Sequence, residues 1–221
     1  MLRPECKKVV SSKWIYHEKH GPDGTIQKYK AHVVVQGFTQ VKGIDFDKTF
    51  VPITKLSLLC TILALAAKLN LEVHQMDVKS AYLNGNLKEE IYMELPPGFN
   101  IPEGMVLKLN KAVYGTKQGR RVWYKNVKAE LKRMGYDRTK ADHVVFVCYQ
   151  DSVVSIIVLY INDFTLVCKD INVILRNKEA LKAAYNMTNL GKLMYILSMH
   201  IKRGHKARWI ELLLSLPRNV Q

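Results

Sequence analysis

The amino-acid sequence predicts a mixed α+β fold, and three stretches carry this prediction. Residues 73–77 alternate their side chains with a period of two, which is the period of a strand. Residues 57–69 are apolar on nearly every side, as in a buried helix. Residues 143–168 form three runs rich in β-branched residues, separated by short turns, which predicts three strands. At 221 residues, the chain is long enough to bury a substantial core.

A β-hairpin is predicted near the N-terminus. Residues 13–19 alternate loosely, residues 21–24 supply a turn, and residues 26–35 resume as a strand. Residues 1–12 carry little pattern and are expected to form a frayed or atypical terminus. The apolar helix at 57–69 then leads into the strand at 73–77, and its role is packing.

An aspartate closes the strand at 73–77. Asp77 is followed by a turn of predicted helix that carries Ala81 and Tyr82. Asn84-Gly85 ends this turn, because both residues tolerate positive φ. A carboxylate at a strand end is held by the sheet while its outer face stays open to a ligand. Asp77 is therefore a candidate metal ligand.

The middle of the chain combines two short strands with a basic loop and a helix. Residues 88–94 and 106–109 are the predicted strands, and residues 114–121 form a flexible loop. Residues 121–134 carry apolar side chains at helical spacing. Nine basic and two acidic residues lie between positions 117 and 140. This excess predicts a track for a phosphate backbone, although any surface helix shows a charged outer face. The predicted contact residues are Arg121, Lys125, Lys128 and Lys132.

The overall charge favours a polyanionic partner. Lys plus Arg number 34 against 19 Asp plus Glu, the net charge is +15, and the pI is near 9.6. This balance favours nucleic acid over a membrane surface, although a solvated basic surface would give the same numbers. Four widely spaced cysteines, no secretory signal and no stretch long enough to span a bilayer indicate an intracellular protein without a membrane partner.

Several short motifs follow one another in a single order along residues 13–201, and each alone would be weak. They are Tyr29-Lys30-Ala31, Gln36-Gly37-Phe38, Gly43-Ile44-Asp45, Gln75-Met76-Asp77-Val78, Ala81-Tyr82-Leu83-Asn84-Gly85, Pro96-Pro97-Gly98-Phe99, Tyr114-Gly115, Lys117-Gln118, Trp123-Tyr124 and Leu190-Gly191. In this order the sequence resembles the reverse transcriptase domain of copia-type LTR retrotransposons.

The resemblance implies a right-hand polymerase fold. It places fingers at about 13–52 and 86–118, and a palm at about 53–85 and 119–201 with an antiparallel sheet packed on helices. Residues 202–221 are expected to be a divergent tail, and the thumb is expected to be missing or vestigial.

The resemblance also implies a metal-dependent catalytic centre at a Tyr-x-Asp-Asp hairpin. In this sequence the hairpin is Tyr160-Ile161-Asn162-Asp163, so Asn162 stands where an aspartate is expected. Asp77 and Asp163 are then the expected catalytic and metal-binding residues. The residues alone predict a tight turn at Asn162-Asp163. Because the Asn162 amide carries no charge, Mg²⁺ or Mn²⁺ is expected to bind weakly.

Contacts with a deoxynucleoside triphosphate are implied as well. Lys30 matches a lysine that contacts the triphosphate, whereas His32 stands where an arginine is expected. Tyr82 matches an aromatic residue that packs under the sugar and obstructs a 2′-hydroxyl. Without the resemblance, Lys30 is an exposed strand lysine and Tyr82 is a core tyrosine. The other expected nucleotide-binding residues are Ala81, Lys117 and Gln118.

Together these expectations describe an RNA-directed DNA polymerase that uses an RNA template, a DNA primer and deoxynucleoside triphosphates. Its synthesis is expected to be impaired or lost because of Asn162 and because the thumb is expected to be lacking. One alternative is a noncatalytic nucleic-acid-binding remnant of the same fold. Another is an unrelated basic α+β protein, which requires Asp77 and Asp163 to lie far apart.

Overall fold

The computed structural model describes residues 1–5, 7–20, 25–52, 54–99, 102–150, 152–197 and 199–214. Within these residues the α-helices are α1 (Leu56–Lys68), α2 (Gly119–Arg133) and α3 (Ile171–Ala184). The strands are β1 (Val9–Val10), β2 (Ser12–His20), β3 (Ile26–Val35), β4 (Glu72–Val78), β5 (Asn86–Met93), β6 (Leu107–Lys111), β7 (Asp137–Arg138), β8 (Val145–Gln150), β9 (Val153–Tyr160), β10 (Asp163–Cys168), β11 (Met187–Lys192), β12 (Tyr195–Ile196), β13 (Met199–Gly204) and β14 (Trp209–Leu214). The predicted α+β class is confirmed. Over the same residues, no helix combines the length and the apolar character needed to cross a membrane.

The chain divides into two compact units. The first comprises Met1–Val51 and Ala81–Asn126, and the second comprises Pro52–Ser80 and Val127–Gln221. Helix α2 is shared, because its residues up to Asn126 belong to the first unit and the remainder to the second. Residues 81–85 and 119–126, which the resemblance places in the palm, therefore lie in the first unit with the predicted fingers residues.

The first unit contains a β-hairpin and a three-stranded sheet. β2 and β3 pair antiparallel, which confirms the predicted hairpin, while the predicted turn at 21–24 lies outside the described residues. In the sheet, β5 pairs antiparallel with β6 and parallel with β1. The buried core of this unit is formed by Val10, Val35, Ile91, Met93 and Leu109.

Residues near the N-terminus belong to this core. Val9 and Val10 pair with Tyr92 and Met93 of β5, and Val10 has 0% of its surface exposed. The backbone N–H of Val106 also donates to the carbonyl oxygen of Met1 at 2.8 Å. The expected frayed terminus at 1–12 is therefore wrong. A two-residue strand is too short to show a period, so its pairing is visible only in the folded chain.

Gly115 lets a loop of the first unit approach strand β3 closely. Its φ is 92°, and a Cβ at this position would lie 1.9 Å from the carbonyl oxygen of Val35. The Val35 N–H donates to the carbonyl oxygen of Tyr114 at 2.8 Å. No residue with a side chain could occupy this position without moving the loop, which accounts for the Tyr-Gly pair.

The second unit is built on a six-stranded antiparallel sheet in the order β11-β4-β10-β9-β8-β7. Strand alternation gives β4 two faces, one with His74, Met76 and Val78 and the other with Val73, Gln75 and Asp77. Helix α3 packs against β4, β10 and β11. Because the Nζ of Lys178 on α3 contacts Nδ1 of His74 at 2.8 Å, α3 covers the His74 face. Asp77 therefore points to the face away from α3.

The second unit also includes a sheet of three strands near the end of the chain. β12, β13 and β14 follow one another in this sheet, and β13 pairs with β14 from Met199–Leu214 to Gly204–Trp209. Residues 202–214 therefore belong to a paired sheet, and the divergence expected for residues 202–221 stays a prediction. Residues 215–221 lie outside the described residues.

Candidate active site

Two aspartates lie side by side on neighbouring strands of the six-stranded sheet. Asp77 is the penultimate residue of β4, Asp163 is the first residue of β10, and the two are partners in the antiparallel register. Directly opposed residues share one face of a sheet, with their Cβ atoms about 4.5–5.5 Å apart. Both side chains are half-buried. The structure brings these carboxylates together and removes the alternative that requires them to lie far apart.

The hairpin that carries Asp163 turns one residue earlier than predicted. Tyr160 of β9 pairs with Asp163 of β10, which leaves Ile161 and Asn162 as the loop. The predicted turn at Asn162-Asp163 is therefore wrong, because Asp163 keeps its place in the ladders with both β9 and β4. Asn162 is thus the loop residue immediately before the paired aspartate.

Backbone hydrogen bonds tie this loop to the end of β4. The Val78 N–H donates to the carbonyl oxygen of Asn162 at 3.0 Å. The next residue, Lys79, donates its N–H to the carbonyl oxygen of Asn186 at 2.9 Å, just before β11. Asp77, Asn162 and Asp163 are consequently gathered at one edge of the sheet, where three neighbouring strands begin or end.

Gln75 hydrogen bonds to one of the two carboxylates. Its Nε2 donates to Oδ1 of Asp163 at 3.1 Å. Burial raises the pKa of Asp163, and repulsion from the Asp77 carboxylate raises it further. The hydrogen bond from Gln75 lowers it, because this bond stabilises the ionised form. The site therefore brings two like charges together, and a cation between them would stabilise both.

The donors at this edge suit a hard divalent cation. Carboxylate and amide oxygens are the ligands that Mg²⁺ and Mn²⁺ prefer. Asp77 and Asp163 supply two carboxylates, and Asn162 supplies at most a neutral amide. In the part of the chain that the structure describes, no three His, Cys, Asp or Glu side chains are grouped so that they could hold a metal. The residues fit a cation, with one anionic ligand fewer than the resemblance implies.

Tyr82 and Ala81 are buried in the first unit. Tyr82 is 6% exposed and Ala81 is fully buried. The Tyr82 hydroxyl accepts a hydrogen bond from Nε of Arg120 at 3.3 Å, and its ring lies 4.4 Å from that of Tyr114, centroid to centroid. The bond between Arg120 and Tyr82 could not be foreseen from the sequence, because 38 positions separate the two residues along the chain.

Gln118 orders the loop that contains Lys117. Only 1% of its surface is exposed. Its Nε2 donates to the carbonyl oxygen of Asp45 at 2.9 Å, and its Oε1 accepts from Nε2 of Gln40 at 3.2 Å. Oε1 of Gln40 in turn accepts from the Lys117 N–H at 2.7 Å. The Gln118 amide is therefore engaged within the first unit, whereas the side chain of Lys117 is exposed.

Lys30 and His32 share one face of the β2–β3 hairpin. In the register, Lys30 is opposite His17 and His32 is opposite Ile15. Alternate residues of a strand point to the same side, and both Lys30 and His32 are exposed. The face offers Lys30 as a cation, but His32 cannot provide the fixed two-pronged contact of an arginine.

The predicted nucleic-acid contacts on α2 divide between the two units. Arg121 and Lys125 line a groove of about 520 Å³ within the first unit. The other charged residues that line it are Asp47, Lys48, Lys88 and Glu89. Basic side chains therefore outnumber acidic ones in this groove. Lys128 and Lys132 lie in the second unit and are exposed, and Lys132 pairs with Asp137 at 2.5 Å.

Comparison with known proteins gives a consistent match over nearly the whole chain. A family model described as reverse transcriptase (RNA-dependent DNA polymerase) matches residues 1–214. The chain is 42% identical over 208 residues to the Retrovirus-related Pol polyprotein from transposon TNT 1-94 of Nicotiana tabacum, covering 93% of this chain and 16% of that protein. It is 30% identical over 203 residues to the Retrovirus-related Pol polyprotein from transposon RE2 of Arabidopsis thaliana, covering 90% and 14%.

A yeast protein gives a similar result. The Transposon Ty1-ER2 Gag-Pol polyprotein of Saccharomyces cerevisiae is 32% identical over 194 residues, covering 84% of this chain and 10% of that protein. The chain thus spans between 10% and 16% of the length of these three relatives. The chain belongs to the reverse transcriptase (RNA-dependent DNA polymerase) family, and its resemblance to copia-type retrotransposons is confirmed.

Proposed function

We propose that the chain is an RNA-directed DNA polymerase domain whose catalytic centre is formed by Asp77 and Asp163, and whose synthesis is impaired by Asn162. The observation that carries this proposal is the pairing of Asp77 with Asp163, directly after the loop that contains Asn162. The family match supports the reaction class. The substrates are then an RNA template, a DNA primer and deoxynucleoside triphosphates.

In this proposal the second unit is the palm and the first unit is the fingers. The second unit has an antiparallel sheet that carries both aspartates and packs on α3. The first unit has the β2–β3 hairpin with exposed Lys30. The fingers would accordingly include Ala81–Asn126, a longer segment than the sequence suggested.

The carboxylates of Asp77 and Asp163 would hold Mg²⁺ or Mn²⁺. When bound, the cation supplies Lewis-acid stabilisation of the charge that develops on the transferred phosphate and lowers the pKa of the primer 3′-hydroxyl. The chain itself contributes orientation. The β4–β10 ladder fixes the backbone of both aspartates, and Gln75 holds one oxygen of Asp163.

Asn162 removes one negative charge from this site. An amide oxygen can coordinate a cation but does not neutralise it. Loss of one preorganised electrostatic group costs about 10²–10³ in rate, or roughly 2.7–4 kcal/mol. The natural chain is therefore expected to bind the cation weakly and to extend a primer slowly or not at all.

For the incoming nucleotide, exposed and buried residues have different proposed roles. Lys30 and Lys117 are exposed and would supply positive charge to the triphosphate. Tyr82, Ala81 and Gln118 are buried, so they would shape the wall of the nucleotide site from behind. With His32 in place of arginine, nucleotide affinity is expected to be low.

The nucleic acid itself is proposed to lie along the groove of the first unit. Arg121 and Lys125 line this groove with Lys48 and Lys88, and lysine and arginine side chains neutralise phosphates. Lys128 and Lys132 extend the row of basic residues along α2. Such contacts hold a backbone without reading its sequence.

The decisive experiment is primer extension by the natural chain and by Asn162→Asp, each with Mg²⁺ and with Mn²⁺. Because the aspartate restores a charged ligand, Asn162→Asp is expected to extend a primer about 10²–10³ times faster. Asp77→Asn in the Asn162→Asp background is the matched control and should abolish extension. If the natural chain extends the primer as fast as Asn162→Asp, Asn162 does not impair catalysis and this part of the proposal is wrong.

The second candidate function is nucleic-acid binding without catalysis. Asn162 and the basic groove favour it, because the groove can bind a phosphate backbone whether or not the metal site works. This function predicts that the natural chain and Asn162→Asp both bind RNA–DNA hybrids in a salt-sensitive way. It also predicts that neither protein extends a primer. Extension by Asn162→Asp alone would instead identify an impaired polymerase.

A further inference from the structure

We infer that Gln75 is a positioning residue for the proposed cation site, because its amide holds one carboxylate oxygen of Asp163 and leaves the other for the cation. The inference rests on the proposed function, since it concerns the same site. Gln75 lies two residues before Asp77 on the same face of β4. Its amide thus links the strand that carries Asp77 to the carboxylate of Asp163.

The sheet fixes the side chain of Gln75. Its partners in the register are Thr165 of β10 and Gly191 of β11, and only 7% of its surface is exposed. A buried amide requires hydrogen-bond partners, and Nε2 finds one in Oδ1 of Asp163 at 3.1 Å. Because burial limits the rotamers of Gln75, the direction of this donor is restricted as well.

The Asp163 carboxylate depends on this donor for a fixed orientation, because its other neighbours are Asp77 and the neutral Asn162. The terminal torsion of an aspartate is soft, so a carboxylate without a fixed partner samples a broad range of orientations. Asp163 is also opposed by Asp77 in the register, and Asn162 brings no charge that could add to the site. The affinity of the site then depends strongly on how the two remaining carboxylates are oriented. Partners of metal ligands typically contribute about 10- to 100-fold in affinity or activity.

Thr165 provides the matched comparison for Gln75. It is opposite Gln75 in the β4–β10 ladder and is 2% exposed. Thr165→Val removes a buried hydroxyl from the residue opposite Gln75, on the same row of paired residues across the sheet, and leaves the Gln75 amide in place. A general effect of disturbing this row would appear in both variants, whereas an effect on Asp163 should appear only when Gln75 changes.

The experiment measures Mn²⁺ binding by electron paramagnetic resonance in the Asn162→Asp background, which has the full set of carboxylates. Gln75→Met conserves volume approximately and removes the donor, and it is expected to raise the Kd for Mn²⁺ about tenfold. Thr165→Val should leave the Kd within about twofold, and Asp77→Asn should remove saturable binding. Gln75→Asn retains an amide but is one methylene shorter, so it should also weaken binding, and urea unfolding checks that each variant is folded.

Primer extension supplies a second readout. The Mn²⁺ concentration for half-maximal extension should rise in Gln75→Met, while the KM for the nucleotide stays unchanged. Equal Kd values for Gln75→Met and its parent, equal losses in Gln75→Met and Thr165→Val, or binding that survives Asp77→Asn would each overturn the inference. If Mn²⁺ binding depends on Gln75 but Asn162→Asp extends no primer, the polymerase proposal fails and the role of Gln75 stands.

Discussion

At the scale of single residues, Ile161 has a backbone conformation that side chains rarely adopt. Its φ is 54°, and it is the first of the two loop residues between Tyr160 and Asp163. A positive φ at the first position of a two-residue hairpin loop favours glycine. A β-branched residue there stores about 1–3 kcal/mol of strain, which persists because both flanking strands are fixed in ladders. The strained residue directly precedes Asn162 and Asp163.

Replacing this residue tests the strain. Ile161→Gly is expected to raise the free energy of unfolding by about 0.5–1 kcal/mol, because relief of the left-handed conformation outweighs the added freedom of glycine in the unfolded chain. Urea unfolding of variant and parent measures the difference. Ile161→Val keeps the β-branch and should change stability by no more than about 0.5 kcal/mol. A less stable Ile161→Gly would mean that contacts of the isoleucine side chain outweigh the strain.

At the scale of elements, helix α3 is joined to the sheet through a buried lysine. Lys178 is 2% exposed, and its ammonium contacts Nδ1 of His74 at 2.8 Å and donates to Oδ1 of Asn189 at 2.7 Å. Since an ammonium group can only donate, Nδ1 must accept, and His74 is neutral in this arrangement. Helix α3 thus contacts β4 through His74 and β11 through Asn189. A proton on Nδ1 of His74 would remove the acceptor for Lys178.

Acidification should therefore weaken the contact between α3 and the sheet. Burial lowers the pKa of His74 most, followed by Lys178; Glu72 opposes this shift, and Lys192 adds to it slightly. An unfolded histidine has a pKa of about 6.5. Below that pH the unfolded state binds a proton that the folded state refuses, so the free energy of unfolding falls as the pH falls through 6.5. Above pH 6.5, His74 is neutral in both states and does not make the free energy of unfolding depend on pH.

Lys178→Met tests this pH dependence. Without the ammonium, the pKa of His74 should return part of the way towards its ordinary value, so stability should fall less steeply between pH 7 and pH 5. Urea unfolding at several pH values gives the slope, which one histidine can make no steeper than about 1.4 kcal/mol per pH unit. Lys182→Met on the same helix, which removes the ion pair with Glu179 at 2.9 Å, should keep the parental slope. Identical slopes for Lys178→Met and the parent would contradict the proposed contact.

At the scale of the whole molecule, the net charge of +15 should govern binding to nucleic acid. Contacts that neutralise phosphates release counterions, so the affinity falls with salt in proportion to the number of phosphates neutralised. Arg121 and Lys125 in the groove of the first unit are the proposed contacts. Each of these two side chains is expected to strengthen binding by the same amount for RNA–DNA hybrids of different sequence.

The double variant Arg121→Gln with Lys125→Gln should bind an RNA–DNA hybrid more weakly. The slope of log K against log salt should become shallower by about 1–2, because each phosphate contact contributes about 0.7–0.9. Fluorescence anisotropy over a range of salt concentrations measures this slope. Lys169→Gln removes one exposed charge at the other end of β10 from Asp163 and should leave the slope nearly unchanged. An unchanged slope in the double variant would place the nucleic acid elsewhere.

Local patterns allowed much of this fold to be predicted from the sequence. The hairpin of β2 and β3, helix α1 and strand β4 follow from periods of two and 3.6 residues and from turn residues, which act over a few positions. Helix α3 was not predicted. It begins after Asp170, which caps it by accepting from the Asn172 N–H at 2.8 Å, but Lys178 interrupts its buried stripe. The charged residue interrupts the apolar period by which an amphipathic helix is recognised. The sequence does not show that Lys178 is buried, because its partners lie on β4 and β11.

The sequence by itself determined the α+β class, the family and the identity of the residues at the candidate site, including the neutral Asn162. Only the tertiary structure decided that Asp77 and Asp163 are register partners, that the turn lies at Ile161-Asn162, and that Tyr82 and Gln118 are buried. The physical reason is that residue type and spacing act locally. Register, burial and the hydrogen bond of Gln75 to Asp163 arise from strands that are distant in the chain and meet only when the sheet forms.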